Sequence, residues 1–103
     1  MKLNINSDEA QKYLSDINDH RAFWINNGPV VKNLDELKQA IRTIDMKTFG
    51  HHFNKEKNDF AKWIEDVVGD HSLANSLSRA KSQKSAEKKI DFRIKQLRSV
   101  LSS

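Results

Sequence analysis

The chain contains no cysteine among its 103 residues, so it has neither a disulfide framework nor a thiolate metal site. It has one proline and three glycines. No Gly-x-Ser-x-Gly elbow, phosphate-binding loop or dinucleotide fingerprint is present, and the lone Gly28-Pro29 pair is no phosphate cradle. Long apolar runs are also missing. Nothing near Met1 resembles a signal peptide, and no stretch approaches the roughly 20 apolar residues that a membrane span needs. The expectation is a cytoplasmic protein without a membrane span, a cofactor or an evident small-molecule substrate.

Apolar residues make up 37% of the chain and charged residues 31%. Because the apolar residues fall in periodic stripes that include aromatics, this pattern is globular rather than disordered. The length allows one domain with one modest core. The net charge of +4 is unevenly placed. Residues 79–103 hold eight basic side chains against Glu87 and Asp91. That tail surplus of six exceeds the whole-chain charge and leaves the remainder at −2. The body is slightly acidic and the tail is basic.

The most informative stretch is Asn58 to Asp70, Asn-Asp-Phe-Ala-Lys-Trp-Ile-Glu-Asp-Val-Val-Gly-Asp. Asn58 suits an N-cap, where its side-chain oxygen accepts from an otherwise unpartnered amide. Asp59 places negative charge at the positive end of the helix dipole. Phe60, Trp63, Ile64 and Val67 recur at i, i+3, i+4 and i+7, and Val68 extends the stripe, which marks a helix burying one face. Gly69 can adopt the left-handed conformation that closes such a helix. Lys62, Glu65 and Asp66 occupy the wet side.

Elsewhere, residues 1–6 read as a flexible terminus. Ser7 is the expected N-cap of a helix with Ala10, Tyr13, Leu14 and Ile17 inward, ending near Asp19. Phe23-Trp24-Ile25 and Val30-Val31 flank Asn-Asn-Gly-Pro, which fits a short hairpin or an extended, buried loop across residues 22–32. Asn33 caps a helix with Leu34, Leu37, Ala40, Ile41 and Ile44 inward. Asp45 caps a short one carrying Met46, Phe49 and Phe53. After Gly69, Leu73 and Leu77 continue a helix to about Ala80. Ile90, Ile94, Leu97 and Leu101 form a final stripe, and a bend near Ser82–Ser85, with Ser85 as the cap, restores its register. The sum is an all-α, small, irregular bundle of five or six helices. It divides into a helical core domain (7–81) and a basic amphipathic C-terminal helix (82–103). The expected core is Leu37, Ile41, Phe49, Phe53, Phe60, Trp63, Ile64 and Val67.

The pattern Phe23…Gly28…Leu34…Leu37, Phe49-x-x-His52, Asn58-Asp59-Phe60-x-x-Trp63-Ile64-x-Asp66-Val67-x-Gly69-Asp70, Leu73-Ala74 spans about half of the chain. It resembles a small prokaryotic domain of unknown function, found alone or attached to larger archaeal and bacterial proteins. The Asn-Asp-Phe-x-x-Trp-Ile portion is the specific part. His51 departs from the aromatic residue expected before His52. The resemblance implies a helical domain and carries no activity or catalytic residues.

Chemistry-bearing residues have simpler readings. His52 and Glu56 share a helix face, but zinc needs three or four ligands, and His20 and His71 sit at unrelated positions. A structural polar contact for His52, to a carboxylate or carbonyl under the Trp63 helix, is the better reading. Asp59, Glu65, Asp66 and Asp70 are explained by capping and a solvated face rather than acid–base work. The aromatic set is core, except that neighbours in an extended segment point opposite ways. One of Phe23 and Trp24 is therefore a candidate for exposure, and Trp24 for partner contact.

The C-terminal helix carries the best functional signal. Lys84, Lys88, Arg93, Lys95 and Arg98 are read as lying off the apolar stripe, and with Lys89 they are the six candidate phosphate contacts. Phe92 lies about 160° from Ile90 on the helical wheel, and is a candidate second contact. The leading expectation is a non-enzymatic interaction domain that binds a protein partner or itself through Trp24 and Phe92. The alternative is a nucleic-acid-binding protein holding phosphates on those six basic residues, with a salt slope of roughly −5 on B-DNA.

Overall fold

A computed structural model describes residues 5–102. The described residues fold as six α-helices and one two-stranded antiparallel hairpin. Helix α1 covers Ser7–Leu14, and a single 3-10 turn covers Asp19–Arg21. Strands β1 (Phe23–Trp24) and β2 (Val30–Val31) follow, then α2 (Leu34–Thr43) and α3 (Met46–His52). Helix α4 (Asp59–Trp63) continues directly into a π-helical turn, Ile64–Val68. Helices α5 (His71–Ser78) and α6 (Gln83–Leu101) complete the bundle. The all-α expectation holds, and the alternative between hairpin and loop resolves as a hairpin.

Side-chain caps set most of these boundaries. Asn33, Asp45 and Asn58 cap α2, α3 and α4 by accepting from the amides of Glu36, Thr48 and Ala61. Two expected caps shift. Asn6, not Ser7, caps α1, because Asn6 and Glu9 form a reciprocal capping box. Ser82, not Ser85, caps α6: the Ser82 hydroxyl accepts from the Ser85 amide at 3.0 Å. Helix α1 also stops at Leu14, short of Asp19. Ser15 turns extended there, and the Ile17 amide donates instead to the Lys32 carbonyl, 2.7 Å away beside the hairpin. Of the expected flexible terminus, 1–6, residues 1–4 lie outside the described residues.

The Asn58–Asp70 block forms one helical rod with a change of pitch. Gly69, at φ 85, closes it, and its amide donates to the Ile64 carbonyl at 2.7 Å, five residues back. The wider turn moves the phase of the apolar stripe. Val68 becomes fully buried, while Val67 packs only partly against the core. Phe53 is likewise partly buried, because it ends α3 in an extended conformation and bridges to Asn58. The other six expected core residues are buried.

Helix α6 lies against α1, α2 and α5. It buries Ala86, Ile90, Arg93, Ile94 and Leu97. Under the hairpin, Phe23 stacks on Phe60 at 5.3 Å and meets Trp63 edge-on at 5.9 Å. Such aromatic pairs add to the gain from burial alone. The layout leaves the outer face of α6 and the outer side of β1 open to solvent.

Candidate functional site

Two surfaces carry exposed aromatic side chains, and they are built differently. At the first, pairing of Phe23 with Val31 and Trp24 with Val30 sends Phe23 inward and Trp24 outward. Trp24 is 70% exposed. It borders a groove of about 380 Å³ lined by Ala22, Phe23, Trp24, His52, Asp59, Lys62, Trp63, Asp66 and Val67.

His52 fixes the floor of this groove. It is buried, with Nδ1 3.0 Å from Asp59 Oδ2. Its Nε2 accepts the Asn26 amide at 2.9 Å. A backbone amide can only donate, so Nε2 carries no proton and the proton sits on Nδ1, directed at Asp59. The structural contact to a carboxylate expected of His52 is therefore present, and it ties α3, α4 and the hairpin loop together. Burial pushes the Asp59 carboxyl up. Hydrogen bonds from His52 and Lys57 and the Lys57 charge outweigh that, and hold it below the usual range. Though His52 and Asp59 form a pair of the kind used in general base catalysis, both ring nitrogens are occupied by structural bonds, so no lone pair faces the groove.

The neighbouring helix is anchored to the same hairpin stem. Trp63 Nε1 donates to the Arg21 carbonyl at 2.8 Å. Arg21 Nη2 donates to the Asp66 carbonyl at 3.0 Å. That carbonyl belongs to the π turn, where the ordinary helical ladder is interrupted. On the wet side of this helix, Asp66 pairs with Lys62 at 3.4 Å, and Glu65 with His71 at 2.8 Å. Among the described residues, no group of three His, Asp or Glu side chains could hold a metal ion.

At the second surface, the start of α6 and the side of α5 enclose a groove of about 600 Å³. It is lined by Ser76, Ser82, Lys84, Ser85, Lys88, Lys89 and Phe92. Phe92 is 64% exposed. Of the six basic residues expected to face phosphates, three are brought here and three are not. Lys84, Lys88 and Lys89 make no ion pair among the described residues.

Arg93 corrects the expectation outright, because it is buried and forks onto Asp70 at 2.7 and 2.8 Å. The wheel position explains the error: Arg93 lies only about 60° from Ile90, inside the apolar arc rather than outside it. Lys95 is held by Asp91 at 3.0 Å, and Arg98 by Asp35. Lys95, then Lys38, keep the Asp91 carboxyl below its ordinary range. Trp24 and Phe92 line separate grooves and do not form one patch. The groove serines Ser76, Ser82 and Ser85 were not foreseen as a group, since only the packing of α5 beside α6 brings Ser76 to the other two.

The geometry thus defines a small, mostly helical bundle with an aromatic hairpin groove and a basic interhelical groove. The chain belongs to the family of unknown function DUF5752, whose model matches residues 17–101. No curated protein and no solved structure matches the chain. Among the described residues, no helix is long and apolar enough to cross a membrane.

Proposed function

We propose that this chain is a small non-enzymatic interaction domain that binds a protein partner, or a second copy of itself, with Trp24 as its main anchor. The observation that carries this reading is a tryptophan 70% exposed beside a groove, on a hairpin fixed from below by His52. Tryptophan is expensive to leave in water and is enriched at the energetic centres of interfaces. Phe23, Trp63 and Val67 supply an apolar floor. Lys62 and Asp66 form a charged rim. The engaged state of both His52 nitrogens supports a role without catalysis.

The test is capture from the native host with wild-type chain and Trp24→Ala in parallel, joined to sedimentation analysis of both. A retained protein, or a self-associated species, should fall at least tenfold in the variant. Retention of the same partners at the same level by Trp24→Ala would remove this reading.

A second reading is nucleic-acid binding through the basic groove, and the three unpaired lysines favour it. With Arg93, Lys95 and Arg98 already held by carboxylates, the number of phosphates it can neutralise drops from six to three. The expected salt slope on B-DNA then falls to about −3 rather than −5.

A further inference from the structure

We infer that the groove between α5 and α6 takes a single-stranded nucleic acid, with phosphates on Lys84, Lys88 and Lys89 and a base stacked on Phe92. This rests on the nucleic-acid reading of the second surface and names the form that the surface accepts.

The placement of charge comes first. Lys84, Lys88 and Phe92 recur every four residues, so they form one ridge along the outer face of α6. The ridge runs about 12 Å at the helical rise. Lys89 widens it on one side, and the hydroxyls of Ser82 and Ser85 lie at its start. Farther along α6, Arg93, Lys95 and Arg98 are neutralised by Asp70, Asp91 and Asp35. The uncompensated positive charge of the helix is therefore gathered where the groove is. A polyanion matches that groove by charge.

Phe92 narrows the choice further. Its ring is 64% exposed, and its groove neighbours are ammonium and hydroxyl groups rather than other apolar side chains. An apolar protein segment would find one ring and three desolvated charges there. A nucleotide strand satisfies both features, since its backbone binds the ammonium groups and a base offers a flat face to the ring. A duplex fits less well. Its bases are already stacked on one another, so none can cover Phe92.

Fluorescence anisotropy of the full chain tests this, with a labelled oligothymidylate about 12 nucleotides long, at about 50 mM salt and above. Competitors are the matching duplex, polyglutamate, and vesicles of phosphatidylserine and phosphatidylcholine. The oligothymidylate should bind, with a log–log salt slope of about −2 for three phosphates on a single strand. Phe92→Ala should weaken it roughly 5- to 150-fold. Lys88→Gln with Lys89→Gln should weaken it further and flatten the slope. Lys95→Gln should bind like the wild type. Duplex binding as tight as single-strand binding overturns this inference and leaves the nucleic-acid reading standing. Binding of neither form at low salt overturns both. An unchanged affinity in Phe92→Ala, or stronger competition by polyglutamate or vesicles than by unlabelled oligothymidylate, also overturns it.

Discussion

Asp70 and Arg93, 23 residues apart in sequence, form a two-pronged ion pair in the interior, Nε to Oδ2 at 2.7 Å and Nη2 to Oδ1 at 2.8 Å. Asp70 is 1% exposed and Arg93 8%. The same carboxylate caps α5 by accepting the Leu73 amide at 3.2 Å. One side chain therefore ends the Asn58–Asp70 block, starts α5 and clamps α6.

Removing either partner leaves the other charged and buried. Arg93→Ala should cost about 3–5 kcal/mol. For a domain of this size that lowers Tm by more than about 12 °C. Arg93→Met with Asp70→Asn should lose less than the two single changes combined, since neither charge is then stranded. Urea denaturation of the wild type, Arg93→Met, Asp70→Asn and the double variant measures the coupling, with Arg93→Ala alongside. A loss below about 1 kcal/mol in Arg93→Ala would show that the pair does not hold α6.

Much of the bundle was legible locally, and the reason is physical. Caps act over three residues and apolar stripes over seven, so Asn33, Asp45 and Asn58, with Phe60, Trp63 and Ile64, declare themselves in any short window. Strand alternation alone says that Phe23 and Trp24 point opposite ways, while the packing of Phe23 on Phe60 and Trp63 decides that Trp24 is the outward one. The Asp70–Arg93 pair was not legible, because nothing local links its two positions. Nor was the π turn, which shifts burial from Val67 to Val68 without any mark in residue type. The inward side of Arg93 was legible on the helical wheel, about 60° from Ile90, but the carboxylates that hold Arg93 and Arg98, Asp70 and Asp35, come from other elements.

The His52 tautomer has a direct readout. With Nε2 accepting the Asn26 amide, proton–nitrogen correlation spectra at mildly alkaline pH should show Nδ1 protonated and Nε2 bare. The Asn26 amide should exchange slowly with deuterium. In His52→Ala it should exchange at least tenfold faster, and stability should drop by about 1–3 kcal/mol for the unpaired donor. An unchanged exchange rate at Asn26 would show that the bond does not anchor the hairpin.

Acid should act partly through Asp59. Its folded carboxyl titrates below its ordinary value, so ionisation favours the folded state. That contribution is complete above about pH 4, where the unfolded chain is also ionised. It disappears as pH falls through the lower, folded value. Asp59→Asn keeps an acceptor for His52 but cannot titrate. Urea midpoints between about pH 5 and 2 should therefore fall more steeply for the wild type than for Asp59→Asn. Parallel curves would count against the His52 and Lys57 bonds as the cause.

The two tryptophans should separate optically. Trp63 is buried and hydrogen-bonded to Arg21, whereas Trp24 is mostly in water. Trp24→Phe should shift emission to the blue and remove most acrylamide quenching, with stability unchanged within about 0.5 kcal/mol. A destabilised protein would place Trp24 in the core and remove it as a contact residue.

Gly69 and Gly50 give opposite expectations from one substitution. Gly69 holds φ at +85, and a Cβ there would meet only Lys12 Nζ at 3.8 Å, an ordinary contact. The cost of Gly69→Ala is then conformational, about 1–2 kcal/mol for a left-handed residue with a side chain. It falls on the residue that closes the π turn. Gly50 sits within α3, and a Cβ there would meet nothing within 4 Å. Gly50→Ala should stabilise by about 0.5–1 kcal/mol, because alanine loses less backbone freedom on entering a helix. Thermal melts of the two variants should move in opposite directions. If Gly69→Ala melts at or above the wild type, the left-handed closure of the Asn58–Asp70 rod is not what ends it.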